Sequence, residues 1–279
     1  MKLIIEAGST RSQSALLNSS GKVVKRAQTA GINPVTDPNY KKAVHEIIRH
    51  YRGHEIVSTY HYGSGCISDT VNGGLKYEYA NNFSISESSI IVKDDLIGSA
   101  LSSCQHEPGI IVICGTGSIS SYYDGYQLMG KIASGGYLIG DEGSGYDLGH
   151  RLMKRYIRQL LSASEQSLIQ KTINLTPQEL ITHLYTINNV RRYMAQQCVL
   201  LQKMNDRTRH EIISASFDSM YRHLIKPLYE KHQKPVHFVG SVGYHFQGHL
   251  KELLKKNNIL AGSFRASAIE GLIKYHRHE

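Results

Sequence analysis

Two stretches of the chain, LIIEAGSTRSQSALL at residues 3–17 and GIIVICGTGSISSYY at residues 109–123, share one pattern. Each begins with an aliphatic run, passes through a turn rich in glycine and hydroxyl residues, and ends in a second run of β-forming residues. This order is typical of a strand, a tight turn and a second strand. The repeat predicts two related α/β halves.

The rest of the chain predicts further helices and strands. Thr176, Pro177 and Glu179 stand in the order of an N-cap, a first-turn proline and a capping-box acid, which predicts a helix start. Apolar residues at helical spacing predict helices at residues 39–51, 96–103, 147–160, 209–231 and 268–275. Short β-rich runs predict further strands at residues 56–62, 89–92 and 236–239.

Composition excludes several classes of protein. Hydrophobic residues make up 41% of the 279 residues and charged residues 20%, which predicts a packed core rather than disorder. The apolar runs are far shorter than the ~20 residues that span a bilayer, and the run before Glu6 is too short for the core of a signal peptide. The chain is therefore predicted to be cytoplasmic and to have no membrane partner.

The net charge of +9 suggests a nucleic-acid partner, but its distribution argues against one. Residues 1–145 carry 12 Lys and Arg against 13 Asp and Glu, whereas residues 146–279 carry 20 against 10. The basic residues of the second part, such as Arg151, Lys154 and Arg155, are spread along amphipathic helices, which is typical of a solvated helix face. Nucleic-acid binding is therefore the least favoured of three functional hypotheses.

The four cysteines are isolated from one another. Cys66, Cys104, Cys114 and Cys198 form no C-x-x-C pair, so the spacing of zinc and iron–sulfur sites is missing. We expect these thiols to be reduced and mostly buried.

Three glycine-rich turns, at residues 8–10, 115–118 and 240–243, follow apolar runs. Such turns expose successive backbone N–H groups that can hold phosphate oxygens, although any one of them could be an ordinary hairpin turn. Several carboxylates follow strands or lie in a glycine-rich loop, namely Glu6, Asp94, Asp95, Asp141 and Glu142. A carboxylate at the carboxyl end of a strand can hold a hydrated Mg²⁺ or accept a hydroxyl proton. Capping of a turn is the alternative role.

The block GGYLIGDEGSG at residues 135–145 resembles a signature of the N-acetylglucosamine kinase and BadF-type ATPase family. That family belongs to the superfamily of acetate and sugar kinases, actin and heat-shock chaperones. Residues 6–10 resemble its first phosphate motif, residues 113–118 its second phosphate motif, and residues 238–242 its adenosine motif. The resemblance covers nearly the whole chain.

The resemblance implies an α/β fold of two ribonuclease-H-like (actin-like ATPase) domains with a central cleft. The implied domains are residues 1–105, with a C-terminal helix at 267–279 packing back on them, and the helix-rich residues 106–266. The implied partners are ATP, Mg²⁺ and a small-molecule sugar, and a homodimer is a further expectation taken from the family.

Roles of individual residues also follow from the resemblance. Asp95 matches the catalytic base that takes the proton of the sugar hydroxyl. Glu6 stands where the family has an Asp that helps hold Mg²⁺, through water, and Gln13 stands where many relatives have an acid. The implied ATP-binding residues are Gly8, Ser9, Thr10, Arg11, Gly115, Thr116, Gly117, Ser118, Gly240 and Ser241. The implied sugar-binding residues are Asn33, Ser64, Gly65, Asp95, Thr116, Gly135, Gly136 and Asp141.

The leading hypothesis is an ATP-dependent sugar kinase that phosphorylates a hydroxyl of an amino sugar, with the 6-hydroxyl of N-acetylglucosamine as the first candidate. The alternative is a catalytically weak sensor of nucleotide or sugar from the same family. The unusual Glu6 and Gln13 motivate that alternative, because both change the acidic pattern of the first phosphate motif.

Overall fold

The structure is a computed structural model that describes residues 1–277, so the last two residues of the predicted helix at 267–279 lie outside the described residues. The chain forms two compact units. The first unit contains Met1–Ile111, Tyr122–Met129 and the C-terminal segment from Arg265. The second unit contains Val112–Ser121 and Gly130–Phe264.

A five-stranded sheet in the order β3-β2-β1-β4-β5 organises the first unit. Its strands are β1 (Lys2–Ala7), β2 (Arg11–Leu17), β3 (Val23–Ala30), β4 (Ser58–Gly63) and β5 (Ile90–Asp94). Strand β1 runs antiparallel to β2 and parallel to β4, and β4 runs parallel to β5. The register aligns Ala7 with Gly63 and Gly63 with Asp94, so the residues that follow these three positions start at one edge of the sheet.

The second sheet has the order β10-β9-β6-β7-β8. Its strands are β6 (Gly109–Cys114), β7 (Ser118–Tyr123), β8 (Leu128–Ile132), β9 (Val236–Val239) and β10 (Ala261–Arg265). Counted from its other edge, this order repeats that of the first sheet with each strand number raised by five. The two strand–turn–strand stretches therefore open two sheets of equal strand order, as the sequence repeat predicts.

Helices pack around both sheets. In chain order the α-helices of residues 1–277 are α1 (Tyr40–Tyr51), α2 (Asp69–Phe83), α3 (Asp95–Cys104), α4 (Gly145–Ile157), α5 (Ala163–Ile173), α6 (Pro177–Thr186), α7 (Val190–Gln197), α8 (Asp206–Met220), α9 (Lys226–His232), α10 (Ser241–His245), α11 (Gln247–Lys256) and α12 (Ile269–His276). Helix α12 packs closely against α3. A Cβ added at Gly271 of α12 would lie only 2.1 Å from Ser102 Oγ of α3. At the end of α12, the buried His276 ring lies 2.8 Å from the Tyr62 hydroxyl oxygen.

Several local predictions are confirmed. The strands at 109–114, 118–123 and 236–239 have the predicted bounds, and Thr176 and Glu179 form the predicted capping box at the start of α6. All four cysteines are free and buried. Separately from these predictions, no helix within residues 1–277 combines the length and the apolar character needed to cross a membrane.

Two helix predictions are wrong in extent. The helix predicted at 147–160 ends at Ile157, and Leu160 is 66% exposed, because the backbone turns left-handed at Gln159. The helix predicted at 209–231 is interrupted by a π-helical turn at Tyr221–Ile225, directly before α9 with its proline in the first turn.

Candidate functional site

The carboxyl ends of β4 and β5 bring Ser64 and Asp95 together in the first unit. Asp94 caps α3, because its Oδ1 accepts a hydrogen bond of 2.7 Å from the Leu96 N–H. Asp95 is the first residue of that helix, and the Ser64 hydroxyl donates a hydrogen bond to Asp95 Oδ2. The structure therefore divides the acidic pair: Asp94 stabilises the helix start, and the half-buried Asp95 carboxylate holds a hydroxyl.

Asn33 lies beside the first glycine turn and is almost completely buried. Its Nδ2 donates to Ser9 Oγ at 3.0 Å, and its Oδ1 accepts from the Val35 N–H at 3.1 Å. Gly65 has a φ of +81°, and a Cβ there would lie 2.5 Å from Asn33 Oδ1. The Gly65 backbone can therefore approach the amide of Asn33 only because it has no side chain.

The first glycine turn is a hairpin closed by backbone hydrogen bonds. The Gly8 N–H donates to the Arg11 carbonyl at 3.0 Å, and the Ile32 N–H donates to the Gly8 carbonyl at 3.1 Å. Ser9, Thr10 and Arg11 are exposed. The exposed side chains at this turn therefore offer a ligand two hydroxyls and one guanidinium.

Glu6, near the end of β1, is a half-buried carboxylate. Burial raises the pKa of the Glu6 carboxyl above its ordinary value, the Ala268 N–H and the Ser267 hydroxyl act against that rise, and the nearby Asp95 adds to it. Gln13 is directly opposite Glu6 on β2, and its Oε1 lies 3.1 Å from Ser267 Oγ. An acid at position 13 would place two like charges opposite each other, which destabilises a sheet, so the neutral Gln13 suits Glu6.

The surroundings of Glu6 suit a Mg²⁺ ion that keeps most of its water ligands better than one that is held by protein side chains alone. Over residues 1–277, no group of three or more His, Cys, Asp or Glu side chains is arranged to hold a metal ion. Mg²⁺, however, commonly keeps several waters and needs only one or two carboxylates together with substrate phosphates. The Glu6 carboxylate, with Asp95 close enough to repel it, meets that requirement.

In the second unit, several hydrogen-bond donors of the turn at residues 115–118 already bind other groups of the protein. The Gly115 N–H donates to the Gly117 carbonyl at 3.0 Å. The Ser118 N–H donates to Asp141 Oδ1 at 3.1 Å, and the Ser118 hydroxyl donates to the Glu142 carbonyl at 2.8 Å. Ser118 therefore contacts Asp141 and Glu142 of the block at residues 135–145 and does not present its donors to a phosphate.

Asp141 is the carboxylate around which this region is built. It is 1% exposed, and its φ of +62° is unusual for a residue other than glycine. Its Oδ1 also accepts from the Ser134 hydroxyl at 3.0 Å, and Arg191 Nη2 of α7 lies 3.0 Å from its Oδ2. A Cβ on Gly117 would lie 1.9 Å from the same Nη2, so the guanidinium lies directly against the turn.

The sequence prediction missed Arg191. It belongs to no motif, lies far from Asp141 along the chain, and stands beside a second arginine in a polar helix. Nothing in such a segment indicates which arginine turns toward the sheet.

The remaining predicted glycines of the second unit lie after β9 and in the loop before Asp141. Gly240, with a φ of +125°, follows β9, and a Cβ there would lie 2.4 Å from the Cys114 carbonyl at the end of β6. Gly135 and Gly136 have φ values of +77° and +70° in the loop that leads to Asp141. The first unit contains Glu6, Gly8, Ser9, Thr10, Arg11, Asn33, Ser64, Gly65 and Asp95. The second unit contains Gly115, Thr116, Gly117, Ser118, Gly135, Gly136, Asp141, Gly240 and Ser241.

Two sheets of equal strand order, with glycine turns and carboxylates at their strand ends, define an actin-like ATPase fold. The chain matches the BadF/BadG/BcrA/BcrD ATPase family over residues 5–269 and belongs to that family. The resemblance found in the sequence is confirmed, and membership of an ATPase family implies the use of ATP.

Similar proteins of known structure support the fold. A candidate N-acetylglucosamine kinase from Porphyromonas gingivalis is 28% identical, with a TM-score of 0.92 over 100% of this chain and 99% of that one. A ROK family glucokinase from Streptomyces griseus, solved with glucose and AMPPNP, is 14% identical with a TM-score of 0.55 over 98% of this chain and 97% of that one. The second similarity is one of fold alone.

A relative of known activity matches a shorter stretch. The N-acetylmuramic acid/N-acetylglucosamine kinase of Clostridium acetobutylicum is 33% identical over 84 residues. The match covers 30% of this chain and 28% of that protein, which is less than two thirds of its length.

Proposed function

We propose that this protein is an ATP-dependent sugar kinase that transfers the γ-phosphoryl group to a hydroxyl of an amino sugar, the 6-hydroxyl of N-acetylglucosamine. The observation that carries the proposal is the pairing of Asp95 with a hydroxyl. Ser64 already donates to Asp95 Oδ2, so the carboxylate is positioned to accept a proton from an alcohol.

The proposed reaction moves one proton and one phosphoryl group. As the sugar hydroxyl oxygen attacks the γ-phosphorus, its proton passes to the Asp95 carboxylate. The bond between the γ-phosphorus and the bridging oxygen breaks, and ADP leaves with the electron pair. The carboxylate can take this proton late in the transfer, because most of the catalysis comes from positioning and charge neutralisation.

Residues around the first glycine turn would position the substrates. Asn33, held by its bonds to Ser9 and to the backbone, would present its amide edge to the sugar. The exposed Ser9, Thr10 and Arg11 would contact the phosphates. Glu6 would hold Mg²⁺ through water, and the bound cation would neutralise charge on the phosphate oxygens.

The choice of an amino sugar rests on similarity. The relative from Clostridium acetobutylicum is named for N-acetylmuramic acid and N-acetylglucosamine, and the similar structure from Porphyromonas gingivalis is a candidate N-acetylglucosamine kinase. The polar amide of Asn33 beside Gly65 is compatible with recognition of hydroxyl or acetamido groups.

The test is a coupled assay of ADP release with N-acetylglucosamine, N-acetylmuramic acid, glucosamine, glucose and no sugar. We expect the highest kcat/KM with N-acetylglucosamine and little ADP release without sugar. Mass spectrometry of the product, with the 6-deoxy sugar as control, identifies the hydroxyl. Equal ADP release with and without every sugar would exclude a sugar kinase.

A second candidate is a sensor that binds nucleotide or sugar without turnover. Its supporting observation is that burial raises the pKa of the Glu6 carboxyl, although the Ala268 N–H and the Ser267 hydroxyl act against that rise. A sensor of this kind would bind ATP with a measurable affinity and show no turnover with any sugar. Robust turnover of the wild-type protein eliminates it.

A further inference from the structure

The guanidinium of Arg191 has unused hydrogen-bonding capacity next to a turn that the family resemblance assigns to phosphate. Its Nη2 lies 3.0 Å from Asp141 Oδ2, a distance typical of an ion pair. Over residues 1–277, neither Asp141 Oδ2 nor Arg191 Nε, both buried, has an aligned hydrogen-bond partner. A guanidinium carries five N–H donors, and the side chain of Arg191 is 30% exposed, so donors other than the one that faces Asp141 can reach a ligand.

Asp141 is unsuited to contact a ligand from the surface. It is 1% exposed, and its Oδ1 is occupied by the Ser118 N–H and the Ser134 hydroxyl. Arg191, in contrast, keeps 30% of its side-chain surface exposed. Of the two ion-pair partners, the arginine is therefore the one that a ligand can reach.

An additional cationic group would strengthen the turn as a phosphate site. Two of its four backbone N–H groups, those of Gly115 and Ser118, donate to the Gly117 carbonyl and to Asp141 within the protein. A turn with fewer exposed N–H groups is a weaker anion site. The Arg191 guanidinium, in contact with Gly117, can replace the missing donors.

We propose that Arg191 binds the terminal phosphate of the nucleotide and that Asp141 is the positioning residue that holds Arg191 against the glycine turn. This inference rests on the proposed use of ATP and reassigns Asp141 from sugar contact to support of an arginine. The planar guanidinium binds phosphate oxygens in a forked arrangement and neutralises charge as the phosphoryl group moves.

The test compares the affinities for the β,γ-imido analogue of ATP and for ADP, each with Mg²⁺, by isothermal titration calorimetry. For Arg191→Ala we expect the affinity for the ATP analogue to fall roughly 10- to 100-fold, the effect of a charged hydrogen bond, while the affinity for ADP changes little. Arg192→Ala, an exposed neighbour on α7, is the matched control and should leave both affinities unchanged. Arg191→Lys should recover only part of the loss, because a lysine lacks the fork.

A second variant guards against misfolding, since Arg191→Ala leaves a buried carboxylate without its cation. The double variant Arg191→Gln with Asp141→Asn replaces the ion pair by two neutral amides, of which the asparagine matches the aspartate in size. It should unfold near the wild-type temperature and still lose its preference for the ATP analogue over ADP. A double variant that folds and keeps the wild-type preference overturns the inference, as does an Arg191→Ala variant whose only defect is a raised KM for sugar.

The same titrations separate this inference from the proposed function. A wild-type protein that prefers the ATP analogue and loses the preference on Arg191→Ala supports the inference even if no sugar is phosphorylated. A wild-type protein that binds neither nucleotide overturns the proposed function and the inference together.

Discussion

The turn at residues 8–10 and the turn at residues 115–118 occupy equivalent places, since each joins the first two strands of its unit in chain order. The carboxyl groups near the two turns nevertheless differ in burial and in the groups that contact them. Near the first turn, the Glu6 carboxyl is half-buried and its burial is offset mainly by neutral donors. Near the second, the Asp141 carboxylate is fully buried and paired with a guanidinium. The two sheets therefore share a strand order, but the carboxyl groups near their turns have different electrostatic surroundings.

The proposals above assign a different chemical task to each unit. The first unit has a carboxylate, Asp95, that holds a hydroxyl, which suits proton removal. The second unit has an arginine held against a glycine turn, which suits an anionic group. Single substitutions in each unit test this division.

Asp95→Asn should abolish most of the proposed sugar-dependent turnover. An amide cannot accept the hydroxyl proton, and general-base catalysis typically contributes about 10²- to 10⁴-fold to the rate. We therefore expect kcat to fall by about that factor while the nucleotide affinity changes little. Steady-state ADP release and calorimetry check the two parts.

The matched control for Asp95 is its neighbour. Asp94→Asn keeps the cap of α3, because asparagine is as good an N-cap as aspartate. It should therefore retain near wild-type activity and stability. Equal losses in the two variants would show that the pair acts through helix stability rather than through a proton acceptor.

Gly117→Ala should break the contact that distinguishes the second turn. The added Cβ would lie 1.9 Å from Arg191 Nη2 and 2.8 Å from both oxygens of Asp141, so the ion pair must shift. Overpacking of this kind typically destabilises a protein by about 1–3 kcal/mol. Urea unfolding measures the change in the free energy of unfolding.

Gly115→Ala serves as the stability control within the same turn. A Cβ at Gly115 has no atom within 4 Å, so its free energy of unfolding should stay within about 0.5 kcal/mol of the wild-type value. If Gly115→Ala and Gly117→Ala lose equal stability, the loss comes from substitution in the turn itself and not from the contact with Arg191.

Gly65→Ala is the corresponding change in the first unit. The residue has a φ of +81°, and its Cβ would lie 2.5 Å from Asn33 Oδ1, so the variant combines backbone strain with displacement of a buried amide. We expect a loss of about 1–3 kcal/mol and a raised KM for sugar. Gly53→Ala, with a φ of +86° and open space around it, isolates the backbone part and should leave KM unchanged.

The sequence predicts features that depend on neighbouring residues and misses those that depend on packing. The capping box of Thr176 and Glu179 lies within one turn of chain, so its residue order is sufficient to predict it. The strand–turn–strand stretches are equally local. The ion pair of Asp141 and Arg191 joins a loop to α7 and arises only when that helix packs onto the second sheet. No periodicity in the sequence reports such a contact.

The pH dependence of Glu6 is the smallest expected effect and tests the first region alone. Because burial raises the pKa of Glu6 above its ordinary value of 4.5, the folded protein binds its proton more tightly than the unfolded chain does. The free energy of unfolding therefore falls as pH rises from about the ordinary pKa through the raised one. Glu6→Gln lacks this fall, so its stability relative to the wild type should increase across that window and then stay level.

Asp124 should show the opposite pH dependence, because the Gln127 and Tyr126 N–H groups lower the pKa of its carboxyl. The stability of Asp124→Asn relative to the wild type should therefore decrease as pH rises through the acid range. Urea unfolding at a series of pH values measures both slopes, and parallel curves for wild type and Glu6→Gln would show that Glu6 is solvated like a surface acid.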